Sequence, residues 1–404
     1  MQTFLEIPLS APDITDREIG SVVEVLKGSR LSLGPKVIEF EAEFARYVGT
    51  RFAVAVNSGT SALHLAVKSL GIGEGDAVVT TPFSFIASAN CLLFERAVPA
   101  FVDIDPDTLN IEPARIAHYL KTGCRREKAT GLPVDKETGR RIRAILPVHV
   151  FGNPCDMDGI REIAAEYRLR IIEDACEAIG AEFKGAKAGS FGDAAVFGFY
   201  PNKQMTTGEG GMVVTNDGKV ADLCRRFRNQ GRGNGNGWLE HGSVGYNYRL
   251  SDINSALGLA QLARIEEILA KRSRVAGLYT KALGSLAAVP SLQPHAKRSW
   301  FVYVVSLPKG YTGGQRDRLL TRLTAKHVGC NNYFPPIHLQ PFYRSTFGYK
   351  EGDFPVTEEL SQRTVALPFH NNLREEEISY VARTLKALVT QADPGEFDSL
   401  AQSA

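Results

Sequence analysis

GFYPNKQMTTGEGG, residues 198–211, sets a single lysine, Lys203, between an aromatic run and a turn with glycines at 208, 210 and 211. The residues leading in, AAVFGF (194–199), read as a buried strand, and those leading out, GMVVTN (211–216), read as another. A lysine is a nucleophile only as the neutral amine, and a protein site reaches that form by desolvation or nearby positive charge. The glycines let the backbone turn tightly and approach a bulky ligand. A plain exposed loop lysine is the alternative. It fits less well, because Lys203 follows the strand directly instead of sitting in a charged run.

Similar apolar runs precede this stretch: FAVAV (52–56), AVVTT (77–81), VPAFVDI (98–104), AILPVHV (144–150) and RIIEDA (170–175). Helical patterns lie between several of them, such as SALHLAVKSL (61–70), with Leu63, Val67 and Leu70 on one face. Strands alternating with helices predict an α/β domain with a mainly parallel sheet. After residue 252 the texture changes. Residues 253–283 read as one long helical stretch, SWFVYVVSL (299–307) as a strand and EEEISYVARTLKALV (375–389) as a helix. The expected division is a large domain over 1–252 and a smaller α+β domain over 253–404, with a frayed polar tail at 391–404.

A chain of 404 residues has room for two such lobes. Its formal net charge of +2 provides no global field for nucleic acid or an anionic membrane. MQTFLEIPLSAPDITD lacks the layout of a secretory signal, and no apolar run reaches the roughly 18 residues of a membrane span. The six cysteines are scattered, with no C-x-x-C pair, so neither a zinc site nor a disulfide framework is expected. A cytoplasmic protein is the reading. KTGCRREKATGLPVDKETGRRIR (121–143) reads as a solvated basic connector. NQGRGNGNGW (229–238) lacks the strand and helix of a dinucleotide fingerprint and reads as a flexible loop.

Two further features carry chemistry. In VNSGTSALHL (56–65) a strand gives way to a helix through Ser58, Gly59, Thr60 and Ser61. Free N–H groups and small hydroxyls at such a start make a phosphate cradle, though a plain helix cap uses the same residues. In IIEDACEA (171–178) Asp174 falls at the C-terminal edge of a strand, where α/β folds place their ligand crevices. It reads either as a helix cap or as a carboxylate holding a positively charged ring nitrogen. A phosphate cradle, a ring-nitrogen carboxylate and a Schiff-base lysine are the handles pyridoxal phosphate needs.

The chain resembles the DegT/DnrJ/EryC1/StrS aminotransferases, the sugar aminotransferase family. The resemblance rests on LKGSRLSLGPKVIEFEAEFARYVG, AVNSGTSALHLAVKSLGIGEGDAVVTTPFSFIASAN, PVHVFGNPCDMDGI, IIEDACEAIGA, GDAAVFGFYPNKQMTTGEGG, GYNYRLSDINSALGLAQL and YFPPIHLQPFY. It implies a pyridoxal-phosphate fold-type-I large domain with a smaller C-terminal domain. By the same resemblance Lys203 is the Schiff-base lysine and proton carrier, and Asp174 pairs with the pyridinium nitrogen. Phe85 stacks on the ring, while Gly59, Thr60 and Ser61 hold the phosphate. Asn247 reaches the phosphate of the neighbouring subunit's cofactor, which implies a homodimer with shared sites. His338 and Tyr333 belong to a motif at the substrate mouth, and a structural histidine is the alternative reading of His338. Arg249 is matched either to a donor carboxylate or sugar phosphate, or to an inter-subunit salt bridge.

Two positions depart from the family's common pattern. Gly198 stands where many relatives have a phosphate-binding serine, and Glu177 stands where Gln or His is usual near the cofactor. A carboxylate there is expected to be protonated or turned outward. The reaction implied is transfer of an amino group from an amino acid, most often L-glutamate, through the pyridoxamine form to a nucleotide-linked keto sugar. The amino sugar would serve a surface polysaccharide, a lipopolysaccharide or a secondary metabolite. The alternatives are a pyridoxamine-dependent sugar dehydratase, which has histidine in place of this lysine, and a regulatory DNA-binding protein.

Overall fold

The computed structural model describes residues 6–233, 240–286 and 288–390. Its strands in chain order are β1 Phe52–Val56, β2 Asp76–Thr80, β3 Val98–Phe101, β4 Cys124–Arg126, β5 Pro133–Asp135, β6 Arg141–Leu146, β7 Arg170–Asp174, β8 Glu182–Phe183, β9 Ala186–Lys187, β10 Ala194–Gly198, β11 Gly211–Thr215, β12 Ala296–Lys297, β13 Tyr303–Ser306 and β14 Thr364–Leu367. The α-helices are α1 Asp16–Lys27, α2 Pro35–Val48, α3 Gly59–Ser69, α4 Ala87–Leu93, α5 Pro113–Thr122, α6 Met157–Tyr167, α7 Gly218–Arg228, α8 Asp252–Leu262, α9 Ile265–Leu283, α10 Gly313–Thr324, α11 Pro341–Phe347, α12 Pro355–Arg363 and α13 Glu375–Thr390.

The central sheet runs β1-β11-β10-β7-β6-β2-β3. Neighbours from β10 to β3 are parallel, whereas β11 is antiparallel to both β1 and β10. The connection from β10 to β11, which carries Lys203, contains no helix to cross back over the sheet, and the chain returns antiparallel. Both faces of the sheet are covered, so its strands are apolar at nearly every position. Along β1, Val54 and Val56 join the core under α3, and Ala53 and Ala55 join the core with α2 and α9. The register brings the end of β1 (Val56) and the end of β10 (Gly198) to the start of β11 (Gly211), and pairs Val196 with Asp174. One edge of the sheet thus collects the residues after three strand ends.

Three expectations need correction. The segment 121–143 is not a loose connector, because β4 pairs with β5 and β5 with β6 in a small antiparallel extension of the sheet. Its exposed arginines suit an outer strand, where charge discourages further pairing. Helix α3 is buried from Ser61 to Val67, not only along one stripe, because it is enclosed by β10, β11, α4 and α7. The long helical stretch is two helices that break at Ala263 and Arg264, where the Arg264 guanidinium turns to Asp13 (2.8 Å) and Glu18 (3.2 Å). The hydrophobic clusters give the packing on either side of residue 252. Leu262, Ile265 and Ile268 still join the core of the large lobe, and the C-terminal core starts at Val275 and takes in Ile7 from the N-terminal end.

The described part of 229–238 is tied rather than loose: Asn229 bridges to Asn247 and Arg232 to His241. Residues 234–239 and the expected frayed tail at 391–404 lie outside the described residues.

Candidate active site

Lys203 sits in the turn after β10, its N–H bonded back to Tyr200 O at 2.9 Å. Its side chain is only 15% exposed, and its Nζ lies 3.5 Å from Glu177 Oε1 and 3.9 Å from the centre of the Phe301 ring. The amine is therefore held between a carboxylate and an aromatic face. Glu177 is turned inward and buried. Its Oε2 accepts the Phe151 N–H at 2.9 Å. Burial holds its carboxyl above the ordinary range, with Lys203 pulling the other way. The outward-facing alternative for Glu177 is excluded by this placement.

Asp174, the last residue of β7, is buried at the same edge. Its Oδ2 accepts the Ser88 hydroxyl at 2.6 Å and its Oδ1 accepts the Cys176 N–H at 3.1 Å. Ser88 in turn lies 2.9 Å from the Ser84 hydroxyl. Phe85, on the same short turn, is 61% exposed, and its carbonyl accepts the Ser88 N–H. The turn that presents this bare aromatic ring thus also buttresses the carboxylate.

Ser58 caps α3, its Oγ accepting the Ser61 N–H at 3.1 Å. The N–H groups of Gly59 and Thr60 head the helix, with no carbonyl a turn earlier in the helix to take them. Space at Gly59 is tight: a Cβ there would stand 3.1 Å from Cys176 Sγ and 3.3 Å from Gly198 Cα. Burial, with Asp174 beside it, raises the Cys176 thiol well above its usual range.

Asn247 is exposed, and its carbonyl lies 3.4 Å from Asn57 Nδ2, just before α3. Tyr246 and Tyr248 on either side are stacked at 4.9 Å and bonded to Glu95 and His64. Arg249 bonds Asn229 Oδ1 at 3.0 Å. Tyr333 lies parallel to Phe301 and Phe151, with ring centres 6.5 Å apart in each case, and burial with Glu177 nearby raises its phenol. Of the two readings of His338, its placement suits the structural one. The side chain is fully buried, 3.0 Å from Glu358 and edge-on to Phe354, and burial lowers its basicity against the pull of Glu358.

The structure also brings in residues the sequence reading passed over. Ser84 and Ser88 lie in the quoted stretch around Phe85 with no role attached, Phe301 has no motif to mark it, and Gln204 is adjacent to Lys203. Among the described residues no cluster of His, Cys, Asp and Glu is arranged to hold a metal ion, and no helix is long and apolar enough to cross a membrane.

A sequence model of the DegT/DnrJ/EryC1/StrS aminotransferase family matches residues 12–386. The spore coat polysaccharide biosynthesis protein SpsC of Bacillus subtilis is 37% identical over 399 residues, covering 96% of this chain and 98% of that protein. A GDP-perosamine synthase of Caulobacter vibrioides is 37% identical over 390 residues, covering 95% and 99%. The crystal structure of S. venezuelae DesV in complex with a ketimine intermediate superposes with a TM-score of 0.83 at 32% identity, covering 94% and 95%. The match runs through the sheet, the lysine turn and the C-terminal helices, and the chain belongs to the DegT/DnrJ/EryC1/StrS aminotransferase family, transaminases on the pyridoxal-phosphate fold-type-I scaffold.

Proposed function

We propose that this transaminase moves an amino group from an amino acid, L-glutamate first among the candidates, to the keto group of a nucleotide-linked sugar, with pyridoxal phosphate held on Lys203. The observation that carries the reading is the Lys203 amine, nearly buried and held by Glu177 and Phe301 at the sheet edge that also ends in Asp174. The residues present fit the cofactor. Asp174 is a buried carboxylate with hydrogen bonds to spare, the α3 N-terminus offers free N–H groups to a phosphate, and Asn57 Oδ1 and Asn202 Oδ1 are buried without partners. Phe85 offers an exposed ring face.

In this reading Asp174 faces the ring nitrogen, Gly59, Thr60 and Ser61 hold the phosphate, and Phe85 covers the ring. Bound pyridoxal phosphate supplies the electron sink that makes the substrate α-proton removable. Lys203 takes that proton and returns it one position along, acting as base and then as acid. Glu177, 3.5 Å away, holds the amine in position. Asn247 belongs to the site of a second copy in a homodimer. Tyr333 and Arg249 are assigned to the substrate side.

The test is spectroscopic. Protein loaded with pyridoxal phosphate should absorb visible light, lose that absorbance with L-glutamate and regain it with a keto-sugar nucleotide. Lys203→Ala should lower turnover at least about a thousandfold. Turnover retained in that variant would remove the lysine from its role. A panel of amino-sugar nucleotides run in reverse with 2-oxoglutarate identifies the sugar and the carbon.

A further inference from the structure

Gln204, the residue after Lys203, is 2% exposed and directs its amide at two other stretches of chain. Nε2 donates to Glu177 O at 2.5 Å, to Ser299 O at 2.7 Å and to Ser299 Oγ at 3.1 Å. Backbone carbonyls only accept, so the amide nitrogen faces them, and Oε1 is left buried with no partner. Each stretch that Gln204 grips also carries a side chain that touches the lysine amine. Glu177 meets it with its carboxylate, and Phe301, two residues beyond Ser299, meets it with its ring.

The surroundings leave little play. The Ser299 N–H reaches Gly152 O at 3.1 Å, and a Cβ at Gly152, where φ is +78°, would collide with Ser299 O. Buried Arg272 donates to Trp300 O and Phe301 O, both at 2.7 Å. Gln204 is thus the meeting point of the lysine turn, the stretch after β7 and the 299–301 segment, which lies 95 residues on.

We propose that Gln204 is a positioning residue for Lys203, its amide pinning Glu177 and Phe301 at the distances from which they hold the amine. It performs no proton transfer, since a primary amide neither gains nor loses a proton near neutral pH. The proposal rests on Lys203 being the reacting lysine, and its test can be read with or without the cofactor. Glutamate at this position would set an anion against two carbonyls, whereas methionine keeps the shape and removes the donors.

In cofactor-free protein, labelling of Lys203 by trinitrobenzenesulfonate, followed by peptide mass spectrometry, should run at least about threefold faster in Gln204→Met, because the amine is freed from both neighbours. With pyridoxal phosphate, attachment at Lys203, read as visible absorbance and as added mass after borohydride, should slow about tenfold. Adding Glu177→Gln should then change attachment less than it does in the wild type, since the two residues act on one contact. Leu385→Ala, in the C-terminal core, provides a control that lowers stability without touching the site. Labelling within about 1.5-fold of wild type, or an equal rise in the Leu385→Ala control, would overturn the proposal. If the wild type takes up no cofactor at Lys203, the proposed function fails, while the labelling result still judges the clamp.

Discussion

At the scale of single residues, Glu177 and Gly198 stand out from the pattern the resemblance implies; packing accommodates the first and leaves room for a side chain at the second. Glu177 is tolerated inside because Phe151 N–H and Lys203 both face it. Its folded value lies above the ordinary 4.5, so the fold binds this proton more tightly than the unfolded chain does. The stability it contributes is complete below 4.5 and is lost as pH rises through the folded value. Urea unfolding from pH 4.5 upward should therefore show Glu177→Gln gaining on the wild type and then levelling off. A gap that does not change with pH would refute this assignment. At Gly198 a Cβ would meet Cys176 Sγ at 3.5 Å and Gly59 Cα at 3.7 Å, which are ordinary contacts. Gly198→Ser should fold normally and add one hydrogen bond toward the phosphate, about 1 kcal/mol, tightening pyridoxal phosphate about fivefold in a direct titration. Lys203 and Asp174 were legible in the sequence because each sits in a motif at a strand end. Ser88 and Phe301 were not, since a serine in a helix-like run and a phenylalanine in a strand-like run fit any core.

Among the elements, β7 does two jobs with adjacent acids. Asp174 faces the candidate site, while the preceding Glu173, fully buried, accepts N–H groups from Gly189 (2.8 Å), Phe191 (2.7 Å) and Gly192 (2.7 Å). His149 completes the shell: its Nδ1 accepts the Cys155 N–H, which leaves Nε2 to donate to Glu173 at 3.1 Å. This cluster holds the loop leading into β10 against β7, and so sets the strand that delivers Lys203. Glu173→Gln replaces the charge on which those donors converge and should lower unfolding stability by about 3 kcal/mol in urea titration. A loss under about 1 kcal/mol would show that the loop is held by its other contacts. The sequence pattern located these strands well, since alternate residues such as Val54 and Ala55 serve opposite faces of one sheet. It misjudged α3 and 253–283, because enclosure on every side and a break filled by Arg264 depend on what packs against them.

For the whole molecule, one face of α1 leaves Ile19, Val23 and Leu26 exposed, and Leu31, Leu33 and Ile38 are bare just beyond it. An apolar surface of this kind fits the second copy proposed for the homodimer. Sedimentation should give the mass of two chains, and the double variant Ile19→Glu, Leu26→Glu should shift the protein toward single chains. A dimer that survives both changes would place the interface elsewhere. Lobe packing is likewise a matter of distant contacts: Asp13 meets Arg264, Lys271 and Asn371, joining the N-terminal segment to α9 and to the stretch before α13. By itself the sequence determined the alternating strands and helices, the lysine turn and the carboxylate at the end of β7, because periodicity and strand-end motifs are local. Only the tertiary structure decided that Glu177 faces inward, that Phe301 lies against the amine and that His338 is sealed beside Glu358. Each of those depends on burial and on partners brought together from distant parts of the chain, which no local spacing encodes.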